Sequence, residues 1–272
     1  MKAGLMAKPL IVSAPFGNYV QPSGATATLG TFTAKRRGGR VIQILKTVRY
    51  YRRIRGWVNK IGLRNPGIDW LAAKITAGKI DASDKLVSIH GFDDGEWYEL
   101  LEKVERIAQS GGEKLPKVLG VELNMSCPNV GHINWPVDLF ERAVKLDREN
   151  IGVVVKLPPV NYEGMVEQAV RAGVKCFHCT NTLPNVAGGI SGKPLKPVSL
   201  QCIRKLREQD QYQNLFVIGG GGITTEGDID EYADAGANVF AVGTKVMNPI
   251  YLLSDRGVRE LIEKAKKISR KA

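Results

Sequence analysis

Residues 121–129 read Val121-Glu122-Leu123-Asn124-Met125-Ser126-Cys127-Pro128-Asn129, an apolar strand run that breaks abruptly into side chains able to do chemistry. A thiol lies between two carboxamides. Asn124 and Asn129 each donate and accept hydrogen bonds, and Pro128 fixes the backbone after Cys127. Such a group suits a planar polar heterocycle held beside a base. A lone cysteine in an apolar run is more often a buried small hydrophobe, so the weight of the reading rests on its surroundings.

The pattern of an apolar strand ending in polar or glycine residues recurs along the whole chain. Strand runs are expected at Leu10 to Pro15, Val41 to Val48, Lys85 to His90, Val118 to Asn124, Gly152 to Leu157, Val174 to Thr180, Leu215 to Gly219 and Val239 to Gly243. Between them, Val137 to Glu149, Tyr162 to Ala172, Val198 to Glu208 and Asp228 to Ala235 carry apolar residues at helical spacing. Eight such units predict an α/β fold of the (β/α)8 barrel type, a single domain over residues 1–272, with a doubly wound open sheet as the alternative. The polar clusters fall at strand ends: Lys46-Thr47, Asn124 to Asn129, Lys156, Asn181-Thr182, Gly219 to Gly222 and Gly243-Thr244. In a barrel these ends converge on one mouth.

At 272 residues and 43% hydrophobic the chain can bury a full core, and it contains no apolar run long enough to span a membrane. The start, Met1-Lys2-Ala3-Gly4-Leu5, lacks a signal-peptide core, so a cytoplasmic protein is expected. Four cysteines in this length do not form a disulfide scaffold. The net charge of +12 gathers around Lys35-Arg36-Arg37 and Arg49, Arg52, Arg53 and Arg55. Anionic substrates, a phosphate-bearing cofactor, an acidic partner or simple solubility together explain it better than nucleic acid, although Tyr50 and Tyr51 interleave with the arginines as in RNA-binding surfaces. The basic run Lys264 to Lys271 reads as the solvated end of a last helix.

In Ile218 to Asp228 the glycines Gly219, Gly220, Gly221 and Gly222 let backbone N–H groups approach an anion, and Thr225 with Asp228 has the spacing of a capping box. Gly243-Thr244 supplies a similar turn one unit later, and the loops after strands seven and eight are the usual phosphate site of such barrels. Lys156 can hold an anionic oxygen of a flavin ring or snorkel to solvent, and Lys46 raises the same question. Cys176-Phe177-His178-Cys179 looks like a metal motif, but strand alternation puts the two thiols on opposite faces, and no metal site is expected. His90 and His132 are expected to bond locally.

With these residues in place the chain resembles the dihydroorotate dehydrogenase family of FMN-dependent (β/α)8 barrels. The likeness is carried by Lys46-Thr47-Val48, Asn59 to Gly67, Glu122 to Asn129, Val155-Lys156-Leu157, Asn181-Thr182, Gly188 to Gly192, Lys196-Pro197 and the two glycine turns. A cysteine at the base position looks like the soluble first class. Gly62-Leu63-Arg64-Asn65-Pro66-Gly67 and Gly189-Ile190-Ser191-Gly192 lean toward the subgroup that works with an iron-sulfur flavoprotein subunit.

The resemblance implies that Cys127 is the base in dihydroorotate oxidation, with Lys46 beside it between flavin and substrate. Asn59, Ile61, Gly62, Leu63, Asn124, Asn129, Asn181 and Thr182 would hold the pyrimidine. Ser13, Ala14, Lys46, Thr47, Asn124, Lys156, Gly192, Gly220, Gly221, Gly222, Gly243 and Thr244 would hold FMN. A homodimer is implied, with no membrane partner. The chain departs from the family in a short N-terminus, abbreviated segments after Asn129 and Thr182, and Arg49 to Arg55 in place of a longer proline-containing stretch. Two other functions share the pattern: an RNA-modifying flavoenzyme of the dihydrouridine synthase kind, and a barrel that binds FMN or phosphate without turnover.

Overall fold

A computed structural model describes residues 7–110, 118–125, 135–146, 151–247 and 256–270. Eight parallel strands close into a barrel in the order β1 (Leu10–Val12), β12 (Val239–Val242), β11 (Phe216–Gly220), β8 (Cys176–Cys179), β7 (Gly152–Lys156), β6 (Val118–Asn124), β5 (Ala82–Ile89) and β2 (Ala25–Phe32). The pairing of β1 with both β12 and β2 shuts the ring, so the open doubly wound sheet is excluded. Helices α2 (Ile68–Thr76), α3 (Asp94–Gln109), α4 (Leu139–Lys145), α5 (Glu163–Arg171), α6 (Leu195–Arg207), α7 (Glu226–Asp234) and α8 (Arg256–Ser269) follow the strands.

Apolar side chains sort themselves onto the two faces of the barrel wall. One small cluster includes Ile11, Leu86, Val154, Cys176, Ile218, Val239 and Ala241, and a larger one joins the other strand face to the helices. Cys176 belongs to the first cluster and Cys179 to the second, as the alternation requires. In α3, Trp97, Leu100, Leu101, Val104 and Ile107 recur at helical spacing and are buried. Its start is fixed reciprocally, because Asp93 accepts from Glu96 N at 2.8 Å and Glu96 accepts from Phe92 N at 3.0 Å. The capping box expected at Thr225 and Asp228 opens α7.

One expected strand is a helix. Residues Val41 to Val48 do not enter the barrel; α1 spans Arg40–Thr47, and none of its residues is buried. The second barrel strand is β2 instead, Ala-Thr-Ala-Thr-Leu-Gly-Thr-Phe, buried at every position. Its threonines and alanines lower the apolar signal, whereas the run Val41-Ile42-Gln43-Ile44-Leu45 looks like a core strand in a linear reading. After α1, β3 (Arg49–Tyr51) and β4 (Gly56–Asn59) form a hairpin, and β4 pairs with β10 (Gly188–Gly192), which pairs with β9 (Leu183–Asn185). This four-stranded antiparallel sheet contributes Asn59, Ser191 and Gly192 to the lining of the cavities described below.

The two assignments differ in what a charge would do. Leu45→Glu is expected to change stability by less than about 0.5 kcal/mol, because Leu45 is 71% exposed. Leu29→Glu, in β2, is expected to prevent folding, because it buries an unpaired carboxylate. Chemical denaturation of the two variants checks both, and a severe loss in Leu45→Glu would restore the strand assignment.

Candidate active site

Three adjacent strands aim charged or polar groups into the barrel at one level. Glu122 on β6, Lys156 on β7 and His178 on β8 are each less than a tenth exposed. Register puts Asn124 beside Lys156 and Lys156 beside His178, so these residues share one parity and one face. His178 Nδ1 lies 2.7 Å from Glu122 Oε2, and Lys156 Nζ lies 3.8 Å from Glu122 Oε1. Burial alone would raise the Glu122 carboxyl, but the Lys156 ammonium and the His178 ring hold it down at about 2. Burial and the same ammonium keep His178 below its ordinary value against the pull of Glu122. A neutral His178 with its proton on Nδ1 therefore donates to Glu122 and keeps a lone pair on Nε2.

Above this charged floor runs a belt of carboxamides and hydroxyls. Asn181 Nδ2 donates to Asn124 Oδ1 at 2.8 Å, and Asn124 Nδ2 donates to Thr31 Oγ1 at 3.0 Å. Thr31 in turn sits 2.9 Å from Ser88 Oγ, and Asn181 Oδ1 accepts from Thr182 N. His90 Nδ1 approaches the Asn124 carbonyl at 2.8 Å, a bond from the end of β5 to the end of β6. The orientation of both carboxamides is thus fixed by protein partners before anything binds.

Two cavities share this floor. One, of about 760 Å³, is lined by Asn59, Ile61, Gly62, Leu63, Asn124, Asn181 and Thr182 among others. The second, of about 520 Å³, is lined by Ser13, Lys156, His178, Gly192, Gly220, Gly221, Gly222, Gly243 and Thr244 among others. Ala14, Asn59, Ile61, Lys156, Asn181 and Thr182 border both, so the spaces are contiguous.

Gly221 and Gly222 have φ of +122° and +73°, and a Cβ on Gly222 would stand 2.8 Å from the Gly192 carbonyl oxygen. Only bare backbone fits that turn. The start of α7 is closed reciprocally, because Asp228 Oδ2 accepts from Thr224 N and Thr225 N while Asp228 N donates to Thr225 Oγ1.

The structure separates the remaining sequence expectations. Lys46 lies exposed on α1 and lines neither cavity. Thr47, next to it, donates to Gln43 O and accepts from Lys60 N, tying α1 to the chain after β4. Their expected position at a barrel strand end fails because the strand is a helix. Cys127 and Asn129 lie outside the described residues, as does His132. Thr31 and Arg40 carry no mark in the sequence, and His178 sits in the Cys176 to Cys179 motif without a role of its own, yet each lines a cavity. For His178 the parity of Lys156 and Glu122 on neighbouring strands was the available signal.

Comparison with known proteins agrees with this geometry. A family model described as dihydroorotate dehydrogenase matches residues 17–264. The chain belongs to the dihydroorotate dehydrogenase family. It is 33% identical over 255 residues to a protein of Geotalea uraniireducens named dihydroorotate dehydrogenase B (NAD(+)), catalytic subunit, covering 84% of this chain and 78% of that one. It is 31% identical over 219 residues to a dihydroorotate dehydrogenase A (fumarate) of Limosilactobacillus reuteri, covering 69% and 66%. Its fold matches the ligand-free DHODH of Eimeria tenella with a TM-score of 0.73 at 18% identity, covering 96% of this chain and 84% of that one.

The depressed histidines set a pH dependence. Because His90 and His178 are held below the ordinary value of 6.5, the unfolded chain binds more protons below that pH, and stability falls as pH drops through it. Glu122 adds to the loss between its ordinary value of 4.5 and about 2. Denaturant midpoints measured from about pH 8 to about pH 5 should decline, less steeply in His178→Gln. Glu122→Gln should cost about 3–5 kcal/mol, since it leaves Lys156 buried without a counter-charge. A flat profile, or a neutral Glu122→Gln, would contradict the charge assignment.

Proposed function

We propose that the chain is a flavoenzyme that oxidises dihydroorotate to orotate, with FMN in the second cavity and the pyrimidine in the first. The observation that carries this reading is Lys156, which borders both spaces between the glycine turns and the Asn124–Asn181 pair. The family match supports it over the dihydrouridine synthase reading and over a barrel without turnover.

The residues present fit a flavin mononucleotide. The glycine turns after β11 and β12 offer a cradle without Cβ atoms for its phosphate, and Lys156 offers a cation toward the ring. When bound, the flavin would supply the acceptor for the C6 hydride of the substrate. The chain does the rest. Asn124 and Asn181, already oriented by each other and by Thr31 and Thr182, would hold the heterocycle edge, with Asn59 and the Ile61-Gly62-Leu63 backbone around it. Cys127, as thiolate, would take the C5 proton. Lys46 receives no role. Relatives named as a catalytic subunit support an electron-transfer partner subunit, for which an iron-sulfur flavoprotein is the proposal, on a homodimeric catalytic core in the cytoplasm.

Gly243 is the cleaner probe of the phosphate cradle, because a Cβ there meets nothing nearer than Phe16 at 3.8 Å, whereas Gly221 is also strained by its φ. Gly243→Val is expected to fold normally and to lose bound flavin; full flavin occupancy would remove the cradle assignment. Cys127→Ala should retain flavin yet slow its anaerobic reduction by dihydroorotate by roughly two or more orders of magnitude, with Cys127→Ser intermediate. The wild-type rate should rise with pH and level off once the thiol is ionised, near ~8.5 for an ordinary cysteine. Single-turnover bleaching decides the point, and wild-type rates in both cysteine variants would sink the base assignment.

A further inference from the structure

The positive charge of this protein is segregated in one segment. Residues 1–68 contain thirteen lysines and arginines and no aspartate or glutamate, so the remaining 204 residues, with twenty-six cations and twenty-seven carboxylates, are nearly neutral. Nine of the thirteen fall between Lys35 and Arg55, on α1 and the loops and hairpin that flank it. Among the described residues none of these nine is ion-paired.

The same segment exposes apolar surface that a folded chain ordinarily hides. Val41 is 69% exposed, Ile42 58% and Leu45 71%, and Tyr50, Tyr51 and Ile54 on the neighbouring hairpin are each more than two-fifths exposed. The apolar arc of α1 is wider than its contact with the protein: Ile44 at one edge and Val48 just beyond its end line the second cavity, while Val41, Leu45 and Ile42 turn outward. Arg49 folds back to donate to the Leu45 and Val48 carbonyls, which caps the helix and places a guanidinium beside the apolar face.

We propose that α1 and the β3–β4 hairpin form a docking surface for an anionic lipid bilayer. Aliphatic side chains flanked by arginines and tyrosines provide two signals together, insertion at the acyl boundary and attraction to acidic headgroups. A second copy of the chain is disfavoured on this face, because it would set Lys46, Arg49, Arg52, Arg53 and Arg55 against the same five cations. Nucleic acid would satisfy the arginines and leave Val41, Ile42 and Leu45 uncovered. The surface is peripheral, since no helix among the described residues is long and apolar enough to cross a membrane.

Cosedimentation of the flavin-loaded protein with vesicles of phosphatidylcholine, alone or with roughly a third phosphatidylserine, tests the proposal. Binding is expected on the anionic vesicles, only weakly on the neutral ones, and should decline as salt is raised. Arg52→Gln/Arg53→Gln should weaken anionic binding roughly tenfold or more, at about fivefold per cation removed from the surface, and Ile42→Asp/Leu45→Asp should weaken it at least roughly as much, because it removes the inserting aliphatics and adds two negative charges. Both pairs are exposed and outside the cavities, so unchanged flavin content and circular dichroism certify their fold. Equal binding to both vesicle types, no binding, or variants that sediment like wild type would overturn it. So would a wild-type dimer that Ile42→Asp/Leu45→Asp splits, or an acidic protein that competes the chain off the vesicles without itself binding lipid.

Discussion

An ammonium group buried in a barrel needs a counter-charge, and in this protein Glu122 supplies it to Lys156. At 3.8 Å and an effective dielectric near ~20, the attraction is on the order of 4 kcal/mol, comparable to the penalty of leaving either ion buried alone. His178 completes the arrangement by donating to the other carboxylate oxygen while remaining neutral, so the floor of the site carries one positive and one negative charge. Everything above depends on that balance. The carboxamide belt keeps its orientation only if β6, β7 and β8 hold these groups at one height, and both cavities end on Lys156.

Much of this arrangement could be read from residues alone, for a definite reason. Strand alternation is strict, so Glu122, Asn124 and Lys156 must share the inner face once β6 and β7 pair in register. The glycine turns and the Thr225–Asp228 box were equally plain, because each depends on a few adjacent residues. What failed was the segment where hydrophobicity and burial part company. Val41 to Leu45 is more apolar than Ala25 to Phe32, yet the first faces solvent and the second is core. Small residues and threonines serve in a barrel wall where neighbours press close, and a linear pattern gives them little weight.

That misplacement also changes the chemistry of the site. The expected cation at the end of the second strand is absent from it; Thr31 stands near that end, accepting from Asn124 and bonded to Ser88. A hydroxyl there fixes a carboxamide but adds no charge; Lys156 and Arg40, which packs 5.1 Å from the Tyr19 ring, supply cations to both cavities, and Arg64, Lys79 and Lys85 line the first as well. The hairpin after Thr182 shows a different economy. Leu183–Asn185 turns directly into Gly188–Gly192, with Asn185 accepting from Ala187 N, so a short link still reaches β4 across the site.

Closure of the barrel by β1 against β12 has a consequence for how the protein is made. Leu10, Ile11 and Val12 leave the ribosome well ahead of their partners Phe240, Ala241 and Val242, which are translated more than two hundred residues later. Until then the β1 edge and the inner cluster containing Ile11 and Val239 lack a wall, and closure of the barrel waits for β12. During synthesis the cationic, aliphatic segment around α1 is therefore presented before the barrel can close behind it.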